Sequence, residues 1–211
     1  MTASGEAVVP AGFDALWDWR RRVARLYAAI RAELDPQRAW MHWRTVRDEM
    51  FRDHPQSPID PGCRFEGLNM FPYDPELVFH VKHSAIKDAP VETFQAGADG
   101  QVNVQPFART QGLRSKLGGE LTLYWLLGYG GGVFLPFADA TSGRDTYGAG
   151  RYLLDTIKGA DLGSTPDGLT VLDFNFAYNP SCAYSPRYLC PLAPPTNRLP
   201  MPVRAGERAP A

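Results

Sequence analysis

The sequence predicts an α+β fold that is mainly β: an antiparallel meander forming a small barrel- or sandwich-like body, preceded by two helices. Three observations carry this. Apolar residues recur at steps of three and four between Phe13 and Phe51, the period of an amphipathic helix. From Arg64 onward that period gives way to short apolar segments separated by turn residues. Finally, 20 glycines and 19 prolines in 211 residues favour a body rich in turns over a helix bundle.

Residues 1–12 are small and polar, a frayed and flexible start. Phe13, Leu16, Trp17, Val23, Leu26, Tyr27, Ile30 and Leu34 form the stripe of a first helix. Asp35-Pro36 restarts the chain, with Asp as N-cap and Pro at the first helical position, where a missing N–H costs nothing. Trp40, Trp43, Val46, Met50 and Phe51 line a second helix, which His54-Pro55-Gln56-Ser57-Pro58 stops. Strands are expected at 65–71, 77–82, 91–96, 101–109, 121–127, 132–137, 150–155 and 169–175. Tyr73-Asp74-Pro75, Ala98-Asp99-Gly100, Gly118-Gly119, Ser142-Gly143 and Pro166-Asp167-Gly168 separate them as turns. The tail after Asn197 is proline-rich and is expected to lie extended across the barrel. This organisation is one domain, with a helical segment 13–54 packed on a β-rich body 64–211.

Composition narrows the function classes. The formal net charge of −1 provides no basic field for phosphate backbones, so nucleic acid is not an expected partner. Arg20-Arg21-Arg22 sits among aromatics at helical spacing and reads as a solvated helix face. No apolar run approaches the roughly 18 residues of a membrane span. The first residues lack the basic start and apolar stretch of a secretion signal. Three cysteines are too few, and odd in number, for a secreted disulfide framework. A cytoplasmic protein follows, binding a small-molecule ligand and compatible with a homodimer, with no membrane partner.

The densest chemistry lies in residues 173–192, where three tyrosines, two cysteines, two asparagines, an aspartate and an arginine fall between prolines. If the last strand runs through Asn175, Asp173 and Asn175 share one face and Phe174 and Phe176 the other. A second group, Asp145, Tyr147 and Arg151, lies in a connection where Gly148 and Gly150 allow close backbone approach. Asp173 and Asp145 are candidate acid/base groups if burial raises their pKa, with Tyr178 as a third catalytic candidate. Arg151 and Arg187 suit a ligand anion, and Tyr147, Asn175 and Asn179 complete the expected binding set. The alternative for the Asp and Asn side chains is that they fasten the loop by bonding neighbouring backbone.

Cys182 and Cys190 are open to four readings: buried structural thiols, a disulfide, metal ligands or a reactive thiol. No metal site and no cofactor are expected. Gly128-Tyr129-Gly130-Gly131-Gly132 lacks the helix and Lys-Ser/Thr of a phosphate loop and reads as a tight hairpin. His80 and His83 are three apart on an expected strand and face opposite ways, which argues against a shared metal.

Residues 173–208 carry Asp-Phe-Asn-x-Ala-Tyr-Asn-Pro-x-Cys-Ala-Tyr, then Cys-Pro-Leu-x-Pro-Pro-x-Asn-Arg-Leu, then Val203-Arg204-Ala205-Gly206-Glu207. This resembles the signature of a bacterial and archaeal family of domains of unknown function, numbered sixteen-eighty-four. The similarity extends through residues 134–143 and 147–152 and takes in Trp43-Arg44 to Pro58. The resemblance implies a single domain of about this length and brings no activity or cofactor. Two departures stand out. Asp145 replaces the family's usual Glu, shortening the acid's reach by one methylene, and residues 80–111 differ from the expected form.

Three function classes follow. The first is a cofactor-independent enzyme performing isomerisation, elimination or hydrolysis on a small anionic or carbonyl metabolite. The second is a non-catalytic small-molecule-binding barrel. The third is a scaffold whose signature loop is an interaction surface. Geometry separates them: the enzyme needs Asp173 or Asp145 facing a cavity within reach of Arg151 and a tyrosine.

Overall fold

Two long helices lead into a seven-stranded antiparallel sheet that curls until its ends nearly meet, as seen in a computed structural model that describes residues 12–95 and 101–210. Helix α1 (Phe13–Ala32) buries Leu26, Tyr27 and Ile30. It ends two residues before Leu34, which is almost wholly exposed, because Glu33 N–H already closes the last turn on Ala29 and Ile30 carbonyls. Helix α2 (Pro36–Asp53) starts as expected: the Asp35 carboxylate accepts from Gln37 and Arg38 N–H at 2.9 and 3.1 Å, and Pro36 opens the helix. A third helix, α3 (Arg114–Leu117), is a single turn.

The strands are β1 (Val78–Ala85), β2 (Glu92–Gln95), β3 (Gln101–Gln111), β4 (Thr122–Leu126), β5 (Gly132–Phe137), β6 (Arg151–Asp155) and β7 (Thr170–Asp173). Their order is β6-β5-β4-β3-β1-β7, with β2 lying beside the first part of β3. Register shifts occur at Pro106 in β3 and Pro136 in β5, where a residue without an N–H cannot continue the ladder. After β7 the chain makes a 3-10 turn, Phe174–Phe176, and Tyr178 then exchanges backbone hydrogen bonds with Tyr152 of β6 at 2.8 and 3.0 Å. That bridge brings the two ends of the sheet together. Leu121, Leu123, Leu135, Phe137, Leu153, Leu172 and Phe174 fill the interior.

The helices cover the closing seam. Leu26, Tyr27, Ile30, Trp40 and Trp43 pack with Ala160 and Phe176, and Trp43 meets Phe176 edge-on at 5.3 Å. Residues 197–209 cross the body as a strap. Leu199 N–H donates to Ala138, Glu207 N–H to Ala177 and Arg208 N–H to Asn69, each at 2.8 Å. Gly206 sits at φ +72° against the Ala177 and Phe174 carbonyls, and a Cβ there would collide with both.

Two expectations are corrected. Residues 65–71 form no strand; they contribute one bridge, Met70 to Glu207, because the strap already holds this segment. The last strand stops at Asp173 rather than Asn175, since the Asp173 carboxylate accepts from Asn175 N–H and starts the 3-10 turn. The expected flexibility of residues 1–11 and the turn at 98–100 lie outside the described residues.

Candidate functional site

The first residue of β6 organises the strap. Arg151 is 1% exposed. Its Nη1 donates to the Ala205 and Glu207 carbonyls, and its Nη2 to the Val203 carbonyl and Asp139 Oδ2, both at 2.9 Å. The carbonyls of 203 and 205 share a side as in an extended chain, and the bend at Gly206, φ +72°, brings that of 207 to the same guanidinium. Asp139 completes the clamp by accepting from Val203 N–H at 3.1 Å and from Thr141 N–H at 2.8 Å. Burial pushes the guanidinium pKa down, against the attraction of Asp139. Both terminal nitrogens are thus committed to the chain itself.

A second network holds the start of the body. Asn175 donates to the Asp74 carbonyl and accepts from Asp74 N–H, each at 2.8 Å, and also donates to Asp173 Oδ1 at 2.7 Å. Burial raises the Asp173 carboxyl to about 6, while the two bonds from Asn175 resist that rise. A third network surrounds Glu207, which is fully buried. It accepts from Arg47 Nε at 2.9 Å, Tyr184 OH at 2.7 Å and Asn179 N–H at 2.7 Å. Asn179 also donates to the Arg208 carbonyl at 2.7 Å. The Arg47 guanidinium lies about 5.0 Å from the Trp43 and Tyr178 rings. Tyr178 meets Tyr152 edge-on at 5.8 Å, and burial pushes its hydroxyl pKa well above the ordinary value. Asp173 and Arg151 therefore bond into different networks, while Tyr178 packs through its ring against Arg47 and Tyr152.

The thiols form a fourth group. Cys182 stands in a 3-10 turn, Ser181–Ala183, and receives the Tyr147 hydroxyl on its sulfur at 3.6 Å. The two cysteines of this loop are free thiols. The neighbouring Cys190 thiol first, then the Tyr147 hydroxyl and backbone N–H groups, favour the thiolate and draw the Cys182 pKa down to about 6 against burial. Cys190 moves the other way, raised first by the Cys182 sulfur and then by burial, and burial chiefly lifts Tyr147 to about 12. Both cysteines are half-buried. The segment that carries them is fastened: Ser185 Oγ donates to Asp60 at 2.7 Å, Arg187 Nε to the same carboxylate at 2.6 Å, and, just past Cys190, Tyr152 OH to the Pro191 carbonyl at 2.6 Å.

The other expected site residues lie toward solvent. Asp145 pairs with Arg204 at 3.5 Å and is about one-third exposed. Arg187 lines a groove of about 500 Å³ with Phe51, His54, Asp60, Cys63 and Phe65. A groove of about 870 Å³ runs between α1 and α2, bounded by Asp18, Arg25, His42 and Glu49. Among the described residues no group of three His, Cys, Asp or Glu converges as metal ligands. No helix among them is long and apolar enough to cross a membrane.

Four buried polar residues were not anticipated as network members: Arg47, Asp139, Asn197 and Glu207. Asn197 bonds the Thr122 and Pro136 carbonyls and Thr122 N–H at 2.8–2.9 Å. Apart from the turn bonds of Asp139 to Thr141 and Ser142, their partners are 12 to 160 residues away.

Residues 63–208 match the model of a family described as protein of unknown function, DUF1684. The matched span takes in the strands, both loop cysteines and most of the strap; the resemblance noted back to Trp43 lies outside it. No curated protein matches the chain. The chain is similar to the uncharacterized protein from gene locus rrnAC0354 of Haloarcula marismortui, whose solution NMR structure aligns with a TM-score of 0.53. Identity is 32%, covering 78% of this chain and 89% of that one. By the extent of the family match and the shared barrel, the chain belongs to the DUF1684 family.

Proposed function

We propose that the protein acts through its cysteine pair, as a thiol–disulfide redox protein of the cytoplasm. The observation that carries this is the partly exposed Cys182 sulfur, which receives the Tyr147 hydroxyl at 3.6 Å and shares its loop with the free Cys190 thiol. Hydrogen bonds to a sulfur stabilise its thiolate, the form that attacks disulfides. The step balances simply. The Cys182 thiolate attacks one sulfur of a substrate disulfide, forms a mixed disulfide and releases the other sulfur as a thiolate. Cys190, losing its proton, then attacks Cys182 and expels the second substrate thiolate. Two electrons pass to the substrate, and the protein pair becomes a disulfide. Tyr147 holds the thiolate between turnovers, and hydrogen bonds from Ser185, Arg187 and Tyr152 anchor the segment that carries both sulfurs.

The test is the pH dependence of alkylation in a Cys63→Ser background, which removes the exposed thiol. Cys182 is expected to react with iodoacetamide along a curve centred near 6, rising with pH as thiolate forms. Tyr147→Phe should move the midpoint upward. A midpoint at the ordinary thiol value of about 8.5 would sink the proposal.

Acid–base chemistry at Asp173 is a second proposal, favoured by one observation: a buried carboxyl near 6 is poised for proton transfer at neutral pH.

A further inference from the structure

We infer that Tyr152 is the positioning residue of Cys190, holding that thiol where it can act on the Cys182 sulfur. This rests on the thiol reading above. Tyr152 is 3% exposed, and its N–H and carbonyl both bond Tyr178, at 2.8 and 3.0 Å. Its ring meets Phe134 edge-on at 4.8 Å and Tyr178 at 5.8 Å. A ring confined on two sides fixes the direction of its hydroxyl, which donates to the Pro191 carbonyl at 2.6 Å, one residue past Cys190. Cys190 itself packs against the buried cluster of Phe94, Val104, Tyr124, Phe134 and Tyr152. Tyr152 thus holds Cys190 in two ways, by a hydrogen bond to the next residue and as part of the cluster it packs on.

Cys182 is held by different groups. Its turn is closed by Ala183 N–H on the Pro180 carbonyl at 2.9 Å and Tyr184 N–H on the Ser181 carbonyl at 3.0 Å, and its sulfur receives the Tyr147 hydroxyl. Between the two cysteines, Asp60 pins Ser185 and Arg187. Removing the Tyr152 hydroxyl therefore loosens Cys190 and leaves the frame of Cys182 standing. Burial first, then the Cys190 and Cys182 sulfurs, push the Tyr152 hydroxyl pKa well above its ordinary value. The hydroxyl stays a donor at every pH at which the thiols react.

In the reaction, the Cys182 thiolate attacks an outside disulfide, and one of its sulfurs leaves as a thiolate. Cys190 then loses its proton, attacks Cys182 and expels the second sulfur, so that two electrons pass from the protein dithiol to the disulfide. This second attack is intramolecular, and its rate falls when the attacking group is less precisely placed. Cys190 is also the neighbour that does most to favour the Cys182 thiolate. A displaced Cys190 therefore returns the Cys182 pKa toward its ordinary value. Both effects of Tyr152 pass through Cys190.

The experiment uses the full-length reduced protein carrying Cys63→Ser, with hydroxyethyl disulfide as the oxidant. Mass spectrometry of acid-quenched samples separates the dithiol, the mixed disulfide on Cys182 and the closed pair. The mixed disulfide decays in a first-order step whose rate constant does not depend on how fast it formed. Tyr152→Phe is expected to slow that decay about tenfold, the scale of one lost hydrogen bond in a positioned reaction. The same variant should move the midpoint of Cys182 alkylation upward. With Cys190→Ala already present, adding Tyr152→Phe should move the midpoint little further, as two changes acting through one group do. Decay at the wild-type rate overturns the assignment of Tyr152 while leaving the thiol chemistry in place. An equal shift of the midpoint with and without the Cys190 thiol also overturns it, because Tyr152 would then support the loop as a whole. If the protein with Tyr152 intact forms neither the mixed disulfide nor the closed pair, the thiol reading falls, and this inference with it.

Discussion

Arg151 shows how one side chain can carry a disproportionate share of a fold. Its fork of donors meets three carbonyls of the strap and one carboxylate, all inside the protein. Truncation would leave Asp139 charged and those carbonyls bare, the situation in which breaking a buried pair costs about 3–5 kcal/mol. Arg151→Met should therefore lower the urea-derived unfolding free energy by that amount. Arg151→Lys should not restore it, because a point ammonium cannot reach acceptors spread around a planar guanidinium. A loss below about 1 kcal/mol would show that water replaces these bonds. From sequence, Arg151 was legible as an unusual residue and was assigned to a ligand anion. Its partners are 12 residues back and more than 50 ahead, mostly main-chain oxygens, and no local spacing encodes backbone acceptors at that distance. Cys182 contrasts with it, since Tyr147 and Cys190 belong to the groups that composition had already marked.

At the level of elements, the sequence resolved the helices and most strands to within a few residues, because their apolar periods are long and capped. Asp35-Pro36 starts α2 by chemistry that any reader of the sequence can see. The end of β7 was less legible. Phe174 and Phe176 alternate as in a strand, but alternation over three residues also fits one 3-10 turn, and the Asp173 cap decides between them. That cap has a measurable signature. The Asp173 pKa is raised from 3.8 to about 6 on folding, so the native state binds the extra proton between those values. Its contribution to stability is fully present below about 4 and is lost as pH rises through about 6. Asp173→Asn keeps an oxygen for Asn175 and cannot ionise. Relative to that variant, the wild type should lose about 3 kcal/mol of unfolding free energy between pH 4 and pH 7, the value of two pKa units. Parallel stability curves for the two proteins across this range would mean that the carboxyl ionises at its ordinary pKa.

The whole molecule is held by contacts between parts far apart in sequence, and one buried pair crosses from helix to strap. Arg47 of α2 reaches Glu207 at the other end of the chain, and Glu207 also gathers Asn179 and Tyr184 from the signature loop. Three segments thus share one carboxylate, so the helices, the loop and the strap are expected to unfold together. Arg47→Met should cost about 3–5 kcal/mol, because it strands a charge in a site with no water access. Adding Glu207→Gln removes that charge while leaving an oxygen for Asn179 and Tyr184. The double variant should therefore recover about 1–3 kcal/mol over Arg47→Met alone, the coupling of groups in one network. Urea unfolding followed by tryptophan fluorescence and by circular dichroism should give coincident transitions in the wild type, as a single cooperative unit requires. Separate transitions, or effects of the two substitutions that simply add, would mean that the helices rest on the barrel without this link. Their tryptophan packing on Phe176 and Ala160 would then be what keeps them there.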